Sequence, residues 1–118
     1  VNVNRVVITG NLTSDPELRA TQSGMSICKM RVAVNTRKKV NDEWQEVPNF
    51  LNVTTFGKQA ETCSEYLAKG RPIAVDGHLS WSEWETDEGR REAVEIIGDQ
   101  VQFLGSRQEA KASDDIPF

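Results

Sequence analysis

A chain of 118 residues, with 37% hydrophobic and 27% charged residues, has enough apolar material for one core and the composition of an ordinary soluble globular domain. Its net charge of −4 argues against a uniformly basic nucleic-acid binder, and no apolar run approaches the roughly 20 residues that span a bilayer. The start, Val1-Asn2-Val3-Asn4-Arg5, lacks the basic-then-apolar pattern of a secretory leader, so the expected location is the cytoplasm.

Charge is distributed unevenly. Residues 1 to 41 hold seven cations (Arg5, Arg19, Lys29, Arg31, Arg37, Lys38 and Lys39) against Asp15 and Glu17, a surplus of five that the rest of the chain more than reverses. A basic face on an acidic protein is therefore compatible with the total. Taken in chain order, Asn4 to Leu12 has the alternation of a first strand, and Ser26 to Asn35 that of a second, with Cys28, Met30, Val32 and Val34 on one face and Lys29 and Arg31 on the other. Asn49 to Phe56 is a third strand. Lys58 to Lys69 then places Ala60, Cys63 and Leu67 on one helical stripe and stops at Gly70. Pro72 to Trp84 and Arg91 to Leu104 complete the strands, and the polar segments 36 to 48 and 85 to 90 are expected to be loops.

Five strands with one short helix between the third and fourth make an all-β chain with the element order of the OB-fold, a five-stranded Greek-key barrel that binds single strands or oligosaccharides. A small β-sandwich or an SH3-like barrel would give a similar string. More discriminating is where the rings fall, because alternation assigns each strand residue to one face. Leu51 and Val53 share a face, which leaves Phe50 and Phe56 among polar side chains with Asn52 and Thr54. Trp84 shares parity with Asp76 and His78, opposite Ile73, Val75 and Leu79. Exposed rings interleaved with cations form a stacking platform for unpaired bases. Such rings also serve as subunit interfaces, or as a second small core under segment 36 to 48. Trp81 has core parity and is expected to be packed, whereas Trp44 lies in a charged segment where it can fold over a bound strand.

Catalytic and metal chemistry find little support. His78 is the only histidine, Cys28 and Cys63 have no CxxC spacing and are expected to be reduced and packed, and neither GxxxxGK[ST] nor GxSxG occurs. The expectation is a non-enzymatic chain with no metal and no cofactor. The end, Ser113-Asp114-Asp115-Ile116-Pro117-Phe118, combines acids with an apolar tip, which suits it to a pocket with a basic rim.

Taken together, NRVVITGNLTSDPELR (4 to 19), SICKMRVAVN (26 to 35), NFLNVTTFGKQAETCSEYLAKG (49 to 70), VDGHLSWSEWETDEG (75 to 89) and the acidic Ile-Pro-Phe end resemble the bacterial single-stranded DNA-binding proteins, a homotetrameric OB-fold family. The resemblance implies an OB-fold domain over 1 to 104 and a short linker with an acidic interaction tip over 105 to 118. It implies base stacking on Phe50, Phe56 and Trp84, and phosphate contacts from Arg5, Lys29, Arg31, Lys58 and Lys69. It further implies sequence-independent binding and protection of single-stranded DNA in replication, recombination and repair, a nucleoid-associated location, and recruitment of partner proteins through Asp114, Asp115, Ile116, Pro117 and Phe118. Where the family often carries another tryptophan, this chain has Arg37-Lys38-Lys39, so an ionic contact replaces a stack there and salt dependence should steepen. Only Gly105 to Ala112 stands where the family usually has a long linker, which leaves open either a specialised paralogue for DNA uptake or replication restart or an artificially shortened chain. An OB-fold module for RNA or protein is the other alternative.

Overall fold

A computed structural model describes residues 2 to 105; the linker beyond Gly105 and the tip residues Asp114, Asp115, Ile116, Pro117 and Phe118 lie outside the described residues. Six strands and one helix follow in order: β1 (Val6–Leu12), β2 (Glu17–Ala20), β3 (Ser26–Val40), β4 (Glu43–Phe56), α1 (Gly57–Tyr66), β5 (Pro72–Thr86) and β6 (Gly89–Phe103). They form one sheet in the order β1-β5-β6-β4-β3-β2. Because β1 also pairs with β3, through Asn11↔Ala33 and Leu12↔Val32, five of the strands close on themselves and β2 is left outside the ring on β3. This is the five-stranded OB-fold barrel with one short helix, and ring closure disposes of the sandwich alternative.

The barrel interior follows from alternation. Cys28, Met30 and Val32 of β3, Val53 of β4, Ile73 and Val75 of β5 and Ile96 of β6 are all buried. The helix sits between β4 and β5 and adds Ala60 and Cys63, while Leu67 packs just beyond it. Sequence periodicity extends the helix to Lys69, but Leu67 already has extended backbone and its N–H donates to the Cys63 carbonyl, which turns the chain so that the Leu67 side chain enters the core. Lys69 therefore lies beyond the helix. Both thiols are buried and free. Burial pushes the Cys28 thiol up and, with Cys28 adjacent, pushes Cys63 up to about 11.

Two expected loops are strands instead. β3 runs on to Val40 and β4 begins at Glu43, leaving a two-residue turn in which Asn41 (φ 52°) and Asp42 (φ 66°) both take the left-handed conformation of a type I′ hairpin. Likewise only Asp87 and Glu88 separate Thr86 from its partner Gly89. Polar composition suggested loops because these ribbons extend past the barrel, where neither face meets a core. It follows that, among the described residues, no second core lies under residues 36 to 48. β2 was not anticipated either, since its four residues are all exposed and show no alternation.

The β5–β6 ribbon bends at a bulge before it leaves the barrel. Asp76 faces Gln100 while Gly77 faces Gly98, so Asp99 is the extra residue and the pair bends there. Backbones approach so closely that a Cβ on Gly77 would lie 1.9 Å from the Ile97 carbonyl oxygen. Ile96, opposite Leu79, is still buried, but past that pair core parity loses its meaning. Leu79 is largely exposed and Trp81 is 56% exposed, which corrects the expectation that Trp81 is packed; its Nε1–H donates to Glu92 at 3.2 Å.

Two outcomes are expected. Gly77→Ala should lower stability by about 3 kcal/mol, as overpacking against backbone does, read as a shifted urea midpoint with unchanged slope; an unchanged midpoint would contradict the close approach. Neither thiol should react with a disulfide reagent in the native protein at mildly alkaline pH, and both should react in denaturant.

Candidate nucleic-acid interface

Strand register determines which side chains meet. β3 and β4 pair without a break from Ile27↔Phe56 to Val40↔Glu43. Residues opposite one another share a face, and alternate residues along each strand return to it. One face of this ribbon therefore carries Lys29, Arg31, Arg37 and Lys39 from β3, and Phe56, Thr54, Asn52, Phe50 and Trp44 from β4. The parallel pairs Val53↔Ile96 and Thr54↔Ile97 continue the same face onto Glu95 and Ala93 of β6. Across the next pairing, Ser80↔Glu95 and Trp84↔Arg91, it reaches Trp84. Four rings and a row of cations, drawn from four strands, thus lie on one side of one sheet.

These rings are accessible: Phe50 is 51% exposed, Phe56 41%, Trp84 48% and Trp44 61%. Two of them already carry a cation. The Arg31 guanidinium lies 5.3 Å from the Phe50 ring centre and that of Arg37 lies 5.7 Å from Trp44. A groove of about 400 Å³ opens where β3, β4 and β6 meet the segment before β2, with Lys29, Arg31, Asn52, Thr54 and Glu95 among its lining residues. Within it Thr54, only 3% exposed, donates its hydroxyl proton to Glu95 Oε2 at 2.8 Å. Thr54 lies on the face assigned by parity but is covered rather than wet.

The other expected contact residues are placed as follows. Lys38 lies opposite Gln45 and projects from the reverse face of the ribbon. Lys58 is exposed in the first turn of α1, two residues after Phe56. Lys69 is exposed beyond the helix, with its backbone N–H donating to Asp15 Oδ1 at 2.9 Å. Arg5 is away from the groove, in a separate depression with Asn4, Asp99 and Gln100, and donates through both Nε (3.1 Å) and Nη2 (2.6 Å) to Asp76. That hydrogen bonding holds the Asp76 carboxyl below its ordinary range and raises Arg5 above its own. A cation so engaged has less charge to offer a phosphate.

Three residues of the face were missed in the sequence: Arg91, Arg19 and Glu95. Arg91 was legible in principle, because a two-residue turn at Asp87–Glu88 puts it opposite Trp84, but reading 85 to 90 as a loop hid that pairing. Arg19 was counted only as charge, since β2, which lays it beside Ile27 and against Glu17, gave no signal. Glu95 carries nothing in the local sequence that points to a groove.

If these rings belong to a binding face, Phe50→Ala, Phe56→Ala and Trp84→Ala should each change the unfolding free energy by less than about 1 kcal/mol in urea. A loss near the 3 to 5 kcal/mol of a buried aromatic, roughly, would place that ring in a core instead.

The model of the single-strand binding protein family matches residues 3–104. A single-stranded DNA-binding protein of Treponema pallidum is 45% identical over 105 residues, covering 89% of this chain and 60% of that protein. A single-stranded DNA-binding protein 1 of Staphylococcus aureus (strain MSSA476) is 42% identical over 114 residues, 96% of this chain and 70% of that one. Among solved structures, a deletion mutant of the single-stranded DNA binding protein from Thermus aquaticus superposes with a TM-score of 0.80 at 30% identity, covering 89% of this chain and 52% of that one. The chain thus spans about three-fifths of the Treponema relative and half of the Thermus one.

Proposed function

This chain belongs to the single-strand binding protein family, and from that premise we propose that it binds single-stranded DNA without sequence preference across the outer face of β3, β4, β5 and β6. The observation that carries the reading is the register that gathers Phe50, Phe56, Trp84 and Trp44 with Lys29, Arg31, Arg37 and Lys39 on one exposed face. Bases stack on the rings through their π faces, which every base has, and the cations follow the phosphates. Duplex is disfavoured because its bases are already stacked on each other and offer no free face to the rings. Arg37 and Lys39 flank Trp44 at the far end of the ribbon, so ionic and stacking contacts operate together there. Lys58 and Lys69 extend the phosphate path at the barrel end, and Lys38 contributes from the reverse face of the ribbon.

Self-association into a homotetramer is part of the same proposal. β1 is paired along Val6 to Asn11 with β5 but with β3 only at Asn11 and Leu12, which leaves an unpaired edge beside the exposed Val3 and Val7. Such an edge accepts a second copy of the strand. The function then extends to protecting single strands in replication, recombination and repair, in the cytoplasm and at the nucleoid. The segment from Asp114 to Phe118 recruits the proteins of those processes. A specialised copy acting in DNA uptake or restart is the variant of this reading.

Tryptophan fluorescence titrated with poly-dT, with a matched duplex and with an RNA homopolymer tests the reading. Strong quenching by dT alone is expected, with a loss of about 1–3 kcal/mol for each ring replaced by alanine. Arg31→Ala should flatten the log K against log salt slope by about 0.7, the value for one phosphate contact on a single strand, while Arg5→Ala should leave it nearly unchanged because Asp76 already engages that charge. Equal quenching by duplex, or tighter binding of RNA, would contradict the proposal.

A further inference from the structure

Glu95 is out of place on a surface that binds a polyanion. It lies in the groove between Lys29 and Arg31 on one side and Ala93 on the other, and it repels any phosphate that enters. One of its oxygens has a structural role, since Oε2 accepts the hydroxyl proton of the covered Thr54 at 2.8 Å. The other does not. Among the described residues Oε1 accepts no hydrogen bond from the protein, and neither Lys29 nor Arg31 forms an ion pair with this carboxylate, although Lys29 is paired directly opposite Thr54. The Thr54 bond holds the carboxylate in one orientation and leaves its second oxygen as an acceptor in the groove.

Thr54 stands two residues from Phe56 on the same face, a spacing of about 7 Å along a strand. The parallel pairing of β4 with β6 sets Glu95 level with Asn52, between Phe50 and Phe56 on this face, so the carboxylate lies within reach of the pairing edge of a base stacked on either ring. That edge differs among bases: cytosine presents an exocyclic amine, a donor to Glu or Asp, whereas thymine presents carbonyl oxygens on both sides of its single N–H. A carboxylate attracts the first and repels the oxygens of the second.

We propose that Glu95 is a base-reading residue within the stacking face, accepting a hydrogen bond from the exocyclic amine of a base stacked beside it on Phe50 or Phe56, so that binding that is sequence-tolerant as a whole carries a local bias towards amino-bearing bases. The inference rests on the DNA-binding reading above. It gives Glu95 a role beyond holding Thr54.

A thermodynamic cycle separates the possibilities. Binding of a deoxycytidine oligomer is compared with that of an otherwise identical oligomer of 2′-deoxyzebularine, which has cytosine's ring without its amine, for the wild type and Glu95→Gln at one salt concentration. The wild type should favour the cytidine oligomer by about 5- to 10-fold, within the range of one base-edge contact, and Glu95→Gln should reduce that ratio to about 2 or below. Glu17→Gln removes a carboxylate from the same groove and should shift both oligomers equally. If Glu95→Gln also shifts both equally, the carboxylate acts only by charge and the proposal falls while DNA binding stands. If the wild type binds neither oligomer, the DNA-binding reading falls with it. Should Glu95→Gln fail to fold, the wild-type ratio alone decides, because a ratio near one contradicts the proposal.

Discussion

The pairing of β3 with β4 is the constraint on which the rest depends. Fourteen consecutive pairs, closed by the Asn41–Asp42 turn, leave no freedom of register. A slip of one residue would move Cys28, Met30 and Val32 out of the core and carry Lys29 and Arg31 into it, so hydrophobic burial enforces the arrangement. The same register that fills the barrel therefore sorts the cations of β3 and the rings of β4 onto its outer surface. Interior and proposed binding face are two sides of one sheet.

Alternation made that outer face readable from sequence, and the limits of alternation explain what was not. Phe50 and Phe56 could be assigned because Leu51 and Val53 unambiguously mark the inner side, and Trp84 because the bulge between β5 and β6 inserts its extra residue, Asp99, in β6 and leaves the parity of β5 intact. Trp81 defeated the same logic. Its parity is that of the core, but the ribbon's last buried residue is Ile96, opposite Leu79, and nothing in Leu79-Ser80-Trp81 announces where the interior ends. The ribbons at 36 to 48 and 85 to 90 were obscured for a related reason, since a strand with two wet faces has no hydrophobic period. β2 has only four exposed residues, which no pattern can distinguish from a loop.

Charge on this molecule is a matter of placement. A net charge of −4 coexists with a cationic row because β3 concentrates Lys29, Arg31, Arg37 and Lys39 on alternate residues while most acids lie elsewhere. Pairing then grades those cations. Arg5 is engaged by Asp76 and Arg19 by Glu17, whereas Arg31 and Arg37 rest on Phe50 and Trp44 and keep their charge available. A guanidinium on a ring can shift to let a base take its place and remain close enough to reach the adjoining phosphate. Rings and cations thus form composite contacts, an arrangement that suits a flexible strand of variable sequence.

Photo-crosslinking tests the central claim, that one register-defined face receives the strand, more directly than any affinity. An oligothymidylate substituted with 5-iododeoxyuridine would be bound, irradiated and digested, and the attachment sites located by mass spectrometry. The account predicts attachment at Phe50, Phe56, Trp84 and Trp44, with none at Tyr66 or Phe103, which are also exposed but lie together in a separate depression with Thr62, Leu67 and Arg71. Attachment concentrated on Tyr66 and Phe103, with the four rings untouched, would contradict it.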